Sequence, residues 1–368
     1  MTIEFSISCI DTILLIKHDI SQLTIWFSFF SSWANMASTN MWNGSTISPL
    51  NNTCDIIQLP APLGDIPRWG LFALLVGIMM VTVVSNIYVI IRINRLGTHK
   101  PVTRFYITSL SCVDLSVGLF IMPYQIVNIT FPTFGQFRYD ICDVMNSLDV
   151  CLSSASIIHL SILTFERYVA LCHSFQYPKW CGTLNMATVY VTSWILTSAV
   201  SFGLIIPGYG EYGVDDVILS CFEGFMKAGA NCIFTVGVFY MALTSSVTIL
   251  LPIVFTVCLN FRVLAYIQHA SQEMASYGTT SHKHRQKIKV SRTLAILTGC
   301  FLFCWCPFFI SNTICVMLNY AFPYDVMTVV TWIGYVNSGA NPLLYMYFQR
   351  TSSVSKSYTL AREVSSKE

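Results

Sequence analysis

Seven stretches of this chain, at about 70–93, 104–127, 142–170, 184–207, 233–263, 290–318 and 326–348, are each long and apolar enough to cross a bilayer as a helix. A span of the hydrocarbon core needs about 20 mostly apolar helical residues, and only helices and closed barrels satisfy their own backbone hydrogen bonds there. The composition points the same way: 54% of the residues are hydrophobic and only 10% are charged, whereas a soluble domain carries roughly 25% charged residues. The expected fold is an all-α membrane protein, a seven-transmembrane helix bundle. Its expected parts are an N-terminal segment 1–67, a bundle 68–349 and a tail 350–368. The patchily apolar segment 5–33 is interrupted by Asp11, Lys17, His18 and Asp19 and lacks the basic start and small-residue cleavage site of a signal peptide. It reads as an extension, with Met36 or Met41 as alternative starts.

Basic residues favour the cytoplasmic loops. With the N-terminus outside, the inner segments collect sixteen of the twenty Lys and Arg residues, leaving only Lys17, Arg68, Arg138 and Lys227 outside. Asp65, Asp140, Asp143, Glu211, Asp215, Asp216, Glu223 and Asp325 fall on the outer side. The expected location is the plasma membrane, multi-pass, with an extracellular N-terminus. Sequons at Asn43 ("NGS") and Asn51 ("NNT") fit that side, whereas Asn128 ("NIT") sits too close to a helix end to be used.

Most of the fourteen cysteines lie within spans, where a thiol behaves as a small apolar group. Cys142 opens the third span on its outer side, and Cys54, Cys221 and Cys232 are extracellular, where oxidation is allowed. A Cys142–Cys232 bridge ties the second outer loop over the bundle, and Cys54–Cys221 is the natural second pair. Four free thiols are the alternative.

One acid, Asp149 in "NSLDVCLSSASIIHL", stands inside the third span. At ~1.5 Å per residue it lies about 10 Å below Cys142, and the eighteen residues to Arg167 make five whole turns, about 27 Å along one stripe. A lone charge in lipid costs at least about 3 kcal/mol, so an intramembrane acid marks a functional site. No span offers a Lys or Arg at that depth, so a cation from outside is the missing partner.

The chain resembles the rhodopsin-like (class A) G-protein-coupled receptors over about residues 68–350. The motifs recur in order: Asn86 in "VSNIYVI", Asp114 in "SLSCVDL", Cys142, Arg167 in "FERY", Trp194, Pro252, Trp305 and Pro307 in "FCWCP", and Asn341, Pro342 and Tyr345 in "NSGANPLLY". Asp149 stands where the aminergic receptors bind a ligand's ammonium, and "CWCPFF", "WIGYVNS" and "VDLSVGLFIMPY" look aminergic too. "LSSASIIHLSI" and the Cys54/Cys221 pair look most like the trace amine-associated receptors. The family's aromatic-rich segment after the last Tyr is replaced here by "YFQRTSSVSK", which departs from the pattern of an eighth helix.

The resemblance implies a set of roles. Trp305, Phe308 and Phe309 on the sixth span and Trp332 and Tyr335 on the seventh would cage the ammonium, since ring faces attract cations. Thr244, Ser245 and Thr248 on the fifth would bond a polar group at the ligand's far end, unless they bond their own backbone instead. Asp114, with Asn86, Ser156, Asn337, Ser338 and Asn341, would hold a sodium ion, for which oxygen ligands are suited; the alternative is a hydrogen-bonded polar network. Glu166, Arg167 and Tyr168, with Asn341, Pro342 and Tyr345, would form the switch toward a heterotrimeric G protein. Two positions depart from the pattern: Lys287 replaces an acid on the sixth helix, and Asn260 replaces a common Tyr on the fifth.

The expected function is a cell-surface receptor for an extracellular biogenic amine, acting through a stimulatory or olfactory G protein. The neutral "ALTSSVT" stretch favours a monoamine over a di- or polyamine, and a non-amine receptor of the same fold is the remoter alternative. No cofactor beyond the ion and no nucleic acid is expected. A transporter would show an internal repeat, an opsin needs a Lys within 326–348, and an enzyme reading lacks metal-ligand spacings; none of these features is present in the sequence.

Overall fold

The computed structural model describes residues 54, 65–96, 101–131, 139–227, 232, 234–276, 282–320 and 322–365. The chain divides into two units, Met1–Asn52 and Thr53–Glu368, and the described helices all belong to the second. Asn43 and Asn51 lie outside the described residues, as do the side chains of Lys287 and Tyr345.

Long helices occupy all seven apolar stretches, and the described residues contain no strand. They are α1 (Asp65–Leu96), α2 (Pro101–Thr130), α3 (Tyr139–Cys172), α4 (Thr183–Ile205), α5 (Val238–His269), α6 (His282–Met317) and α7 (Tyr324–Ser365). The first six contain stretches long and apolar enough to cross a membrane. The last is more polar, and its small residues explain why. A side chain at Gly339 would put its Cβ 2.8 Å from the Thr82 hydroxyl of α1, and one at Gly334 would press within 3.1 Å of the Trp305 ring of α6. Close helix approach in a membrane uses small residues and polar pairs in place of bulk apolarity.

Helix α3 is the central post. It packs against α2, α4, α5 and α6, while α7 closes the ring between α6 and α1. Of the apolar stretch of α3, 67% is buried, against 28% in α1 and in α4, whose Leu74, Val84 and Ile195 face outward. Prolines shape the helices. Pro123 and Pro252 follow π-helical segments Val117–Ile121 and Ser245–Leu250, and Pro307 and Pro342 lie inside α6 and α7. Proline removes an N–H and crowds the carbonyl four residues back, so the preceding turn loosens. No separate eighth helix is formed among the described residues: α7 runs unbroken to Ser365.

Both expected disulfides are present, Cys142–Cys232 and Cys54–Cys221, with Cα atoms 5.8 Å and 5.6 Å apart. The second fastens a lid helix, Asp216–Lys227, whose Phe222 points into the bundle and meets Tyr320 edge-on at 5.2 Å. Tyr320 precedes α7 in left-handed backbone (φ 65°), as does Asn319 (φ 50°). Its phenol donates to the Val236 carbonyl and accepts from the Val236 N–H, which pins the lead-in of α5. Asn128 is buried and bonds both the N–H and the carbonyl of Cys232 (3.0 and 3.2 Å). Both polar atoms of its side chain are thereby occupied within the fold.

Candidate functional site

Asp149 projects from α3 into a cavity below the lid. Oδ2 accepts the Tyr335 phenol proton of α7 at 2.5 Å, and Oδ1 accepts the Ser153 hydroxyl at 3.3 Å. Two hydroxyl donors steady the carboxylate without neutralising it, and among the described residues no Lys or Arg pairs with it. The cavity has two lobes that share Asp149, Phe234, Phe308, Asn312 and Thr331. One opens toward α5 and α6 and is lined by Thr244, Ser245, Thr248, Trp305, Phe309 and Tyr335. The other opens toward α2 and α7, and Trp332 lines it.

The aromatic residues expected at the site therefore assemble as two groups. Trp305 stacks on Phe309 (5.6 Å) and meets Phe308 edge-on (5.7 Å), while Trp332 meets Tyr335 edge-on at 5.5 Å. The three hydroxyl residues of α5 also divide. Thr244 donates to the Tyr240 carbonyl (2.7 Å) and Thr248 to the Thr244 carbonyl (2.8 Å), so both protons are taken by the helix's own backbone. Ser245 has a buried hydroxyl with no partner among the described residues. Sequence reasoning missed Phe234, Tyr240 and Asn312, which also line this lobe. Their spacing from Thr244 and Phe309, three or four residues along a helix for Tyr240 and Asn312, was the available signal.

Above the cavity, Asp143, Glu211 and Glu223 line a wide mouth together with Asn146 and the underside of the lid.

Deeper in the bundle, beside Ser156 of α3, Asp114 is fully buried. Ser156 donates to its Oδ1 (3.2 Å) and Asn341 to its Oδ2 (3.0 Å), and the Ser338 hydroxyl also bonds it. Side-chain oxygens of Asn86, Asn337 and Asn341 are buried without partners among the described residues. Unpartnered oxygens around a carboxylate fit a hard cation, since each is a lone pair with no donor to satisfy it.

At the opposite end of α3, Glu166 is fully buried and accepts from Thr103 (2.9 Å) and Tyr177 (2.7 Å) on Oε1. Burial, and then that hydrogen bond, push the Tyr177 phenol well above its usual range, so it stays a donor. Oε2 lies 3.4 Å from Arg167 Nε. Tyr168 turns away and bonds His173 (3.0 Å). Asn260 donates to Thr298 (2.8 Å), tying α5 to α6 where the family pattern has a Tyr.

Residues 85–345 match the 7 transmembrane receptor (rhodopsin family) description. The chain belongs to this family. It is thus a multi-pass receptor of the plasma membrane and not an enzyme, and it shares the family's coupling to G proteins. The chain is 28% identical to 5-hydroxytryptamine receptor 4 of Homo sapiens over 308 residues, covering 78% of each. Over 297 residues it is 29% identical to trace amine-associated receptor 1 of Homo sapiens, covering 76% of this chain and 84% of that one. Octopamine receptor beta-2R of Chilo suppressalis is 28% identical over 306 residues, covering 74% and 75%. In this rhodopsin-family receptor a cavity lies at one end of α3 and the Glu166–Arg167 pair at the other, so a single helix joins the two.

Proposed function

We propose that this receptor binds an extracellular monoamine, holds its ammonium at Asp149, and activates a stimulatory or olfactory G protein that raises cyclic AMP. The observation that carries the reading is the Asp149 carboxylate at the junction of two cavity lobes, with hydroxyl donors and no basic side chain beside it among the described residues. A desolvated ammonium–carboxylate pair is worth more there than at the surface. Three relatives named for serotonin, trace amines and octopamine support the ligand class. In this reading the lid end and the N-terminus face outward, Asn43 and Asn51 carry glycans, and sodium held at Asp114 stabilises the resting state.

Asp149→Ala should abolish amine activation while surface expression persists; unchanged potency overturns the proposal. A second reading has one observation behind it. The acids at the cavity mouth, Asp143, Glu211 and Glu223, can hold the distal amine of a di- or polyamine. Exposed pairs are worth at most about 1 kcal/mol, so a monoamine stays ahead. Phenethylamine, cadaverine and spermine are compared on wild type, Glu223→Gln and Asp143→Asn: polyamine potency far above monoamine potency, lost selectively in either variant, overturns the preference for a monoamine.

A further inference from the structure

The mouth under the lid and the lobe between α2 and α7 share Asn146, Phe222 and Phe234. A side chain that borders both spaces is part of the wall between them, so a molecule that moves from the mouth to Asp149 passes these groups. Two of them are tethered. Asn146 donates toward both sulfurs of the Cys142–Cys232 bridge, at 3.5 and 3.6 Å. Phe234 stands between Cys232, which is bridged and held by Asn128, and Val236, whose N–H and carbonyl are both bonded to the Tyr320 phenol. One residue further on, the Gly237 N–H donates to the Gly210 carbonyl (2.7 Å). Phe222 has only apolar contacts. Its ring, 4% exposed, meets Tyr320 edge-on and packs with Ile218, Val236 and Phe322. An edge-on ring pair is weak beside a covalent bridge or a pair of backbone hydrogen bonds, so Phe222 is the part of the wall that yields first.

We infer that Phe222 is a gate: its ring closes the passage between the mouth and the cavity, and its displacement sets how fast a small cation reaches and leaves Asp149. That the cation is an amine rests on the reading under Proposed function; the gate does not. The charges along the route have one sign. Asp143, Glu211 and Glu223 border the mouth above the ring, and Asp149 borders the lobe below it. Acids on both sides raise the local concentration of cations, and the ring faces of Phe222 and Phe234 attract a cation between them. An anion is repelled at both ends, so the passage filters by charge as well as by size. Tyr320 serves the gate twice. Its ring is the stop against which Phe222 closes, and its phenol fixes the Val236 backbone, so stop and wall are held together.

The test measures rates of thiol modification in the purified receptor in lipid nanodiscs, read by peptide mass spectrometry. The probes are aminoethyl methanethiosulfonate, a cation, and sulfonatoethyl methanethiosulfonate, an anion. Two reporters line the lobe: native Cys315, which packs in the Phe222 cluster, and a thiol introduced by Thr328→Cys on α7, outside that cluster. Cys151, buried against Thr197 of α4 and outside both lobes, is the control. Phe222→Ala should speed the cationic probe at both reporters at least about fivefold, Phe222→Leu should do so less, and Phe222→Trp should slow it, with Cys151 unchanged throughout. Wild type should admit the cation faster than the anion. A rise at Cys315 alone overturns the gate by showing that truncation merely uncovers a neighbouring thiol, and a matching rise at Cys151 overturns it by showing general loosening. Reporter rates that do not follow the size of residue 222 overturn it as well, and equal rates for the two probes overturn the charge filter. Asp149→Ala separates the two readings. Amine activation that survives there, with the residue 222 series intact, overturns the amine reading alone; activation lost there, with a flat series, overturns the gate alone.

Discussion

The Tyr335 phenol of α7 donates to Oδ2 of Asp149 on α3, joining residues 186 apart in sequence beside the cavity. A hydrogen bond to a charged acceptor is worth about 1.5–3 kcal/mol, and this one also fixes where the carboxylate points. Tyr335→Phe keeps the ring against Trp332 but frees the carboxylate to rotate. Amine potency should fall about tenfold or more, with surface expression intact. A dose–response curve on the cell surface checks it, and an unchanged curve would show that Ser153 alone orients Asp149.

The two disulfides should differ in consequence. Cys142–Cys232 is flanked by the Asn128–Cys232 hydrogen bonds and borders the cavity, so it sets the position of the loop that roofs the site. Cys54–Cys221 joins the lid helix to the chain ahead of α1. Cys142→Ser should lose surface expression or ligand response, and Cys54→Ser should do milder damage. Flow cytometry of a surface tag, paired with ligand response, measures both; equal and negligible effects would argue that neither bridge matters in the cell.

On the proposed switch role, the Glu166 carboxylate restrains Arg167 through the 3.4 Å approach of Oε2 to Nε. Arg167 is partly exposed, with 20% of its side chain accessible, so solvent screens the pair and its worth is about 1 kcal/mol. Glu166→Gln keeps the acceptor for Thr103 and Tyr177 and removes the attraction for Arg167. Basal G-protein activity should rise about fivefold, the factor that about 1 kcal/mol corresponds to. Tyr177→Phe should raise it less. Basal activity that stays flat in both would place the restraint on Arg167 elsewhere.

The bundle was legible because apolar length is a one-dimensional signal: α1 to α6 register in it directly. The last helix, 326–348, was counted among the apolar stretches as well, yet it is too polar to meet the standard of length and apolarity that the first six meet, and its small residues pack against Thr82 and Trp305, contacts that no window of sequence contains. Asp149 stood out as a charge where charge is costly. Its partner Tyr335 was expected as a ring face for the ligand's ammonium, not as a donor to the acid, because that relation depends on how α3 and α7 cross. The α5 hydroxyls show the same limit. "YMALTSSVT" spells five hydroxyl residues alike, yet Thr244 and Thr248 bond backbone while Tyr240 and Ser245 do not, a difference decided by helix geometry around the π segment.

Asp114 supplies the last test. Its carboxylate already accepts from Ser156, Ser338 and Asn341, so hydrogen bonds alone do not require more. The oxygens of Asn86, Asn337 and Asn341 do require more, because they are buried acceptors without donors among the described residues. A sodium ion would satisfy them together, and an ion bound preferentially to the resting state must weaken agonist binding by linkage. Agonist affinity should therefore be several-fold lower in sodium chloride than in N-methylglucamine chloride at equal ionic strength. Asp114→Asn removes the charge while keeping the volume, so the two salts should then give the same affinity. Sodium sensitivity that persists in Asp114→Asn would move the ion elsewhere. A wild type indifferent to sodium would reduce the cluster to a hydrogen-bonded network between α2, α3 and α7.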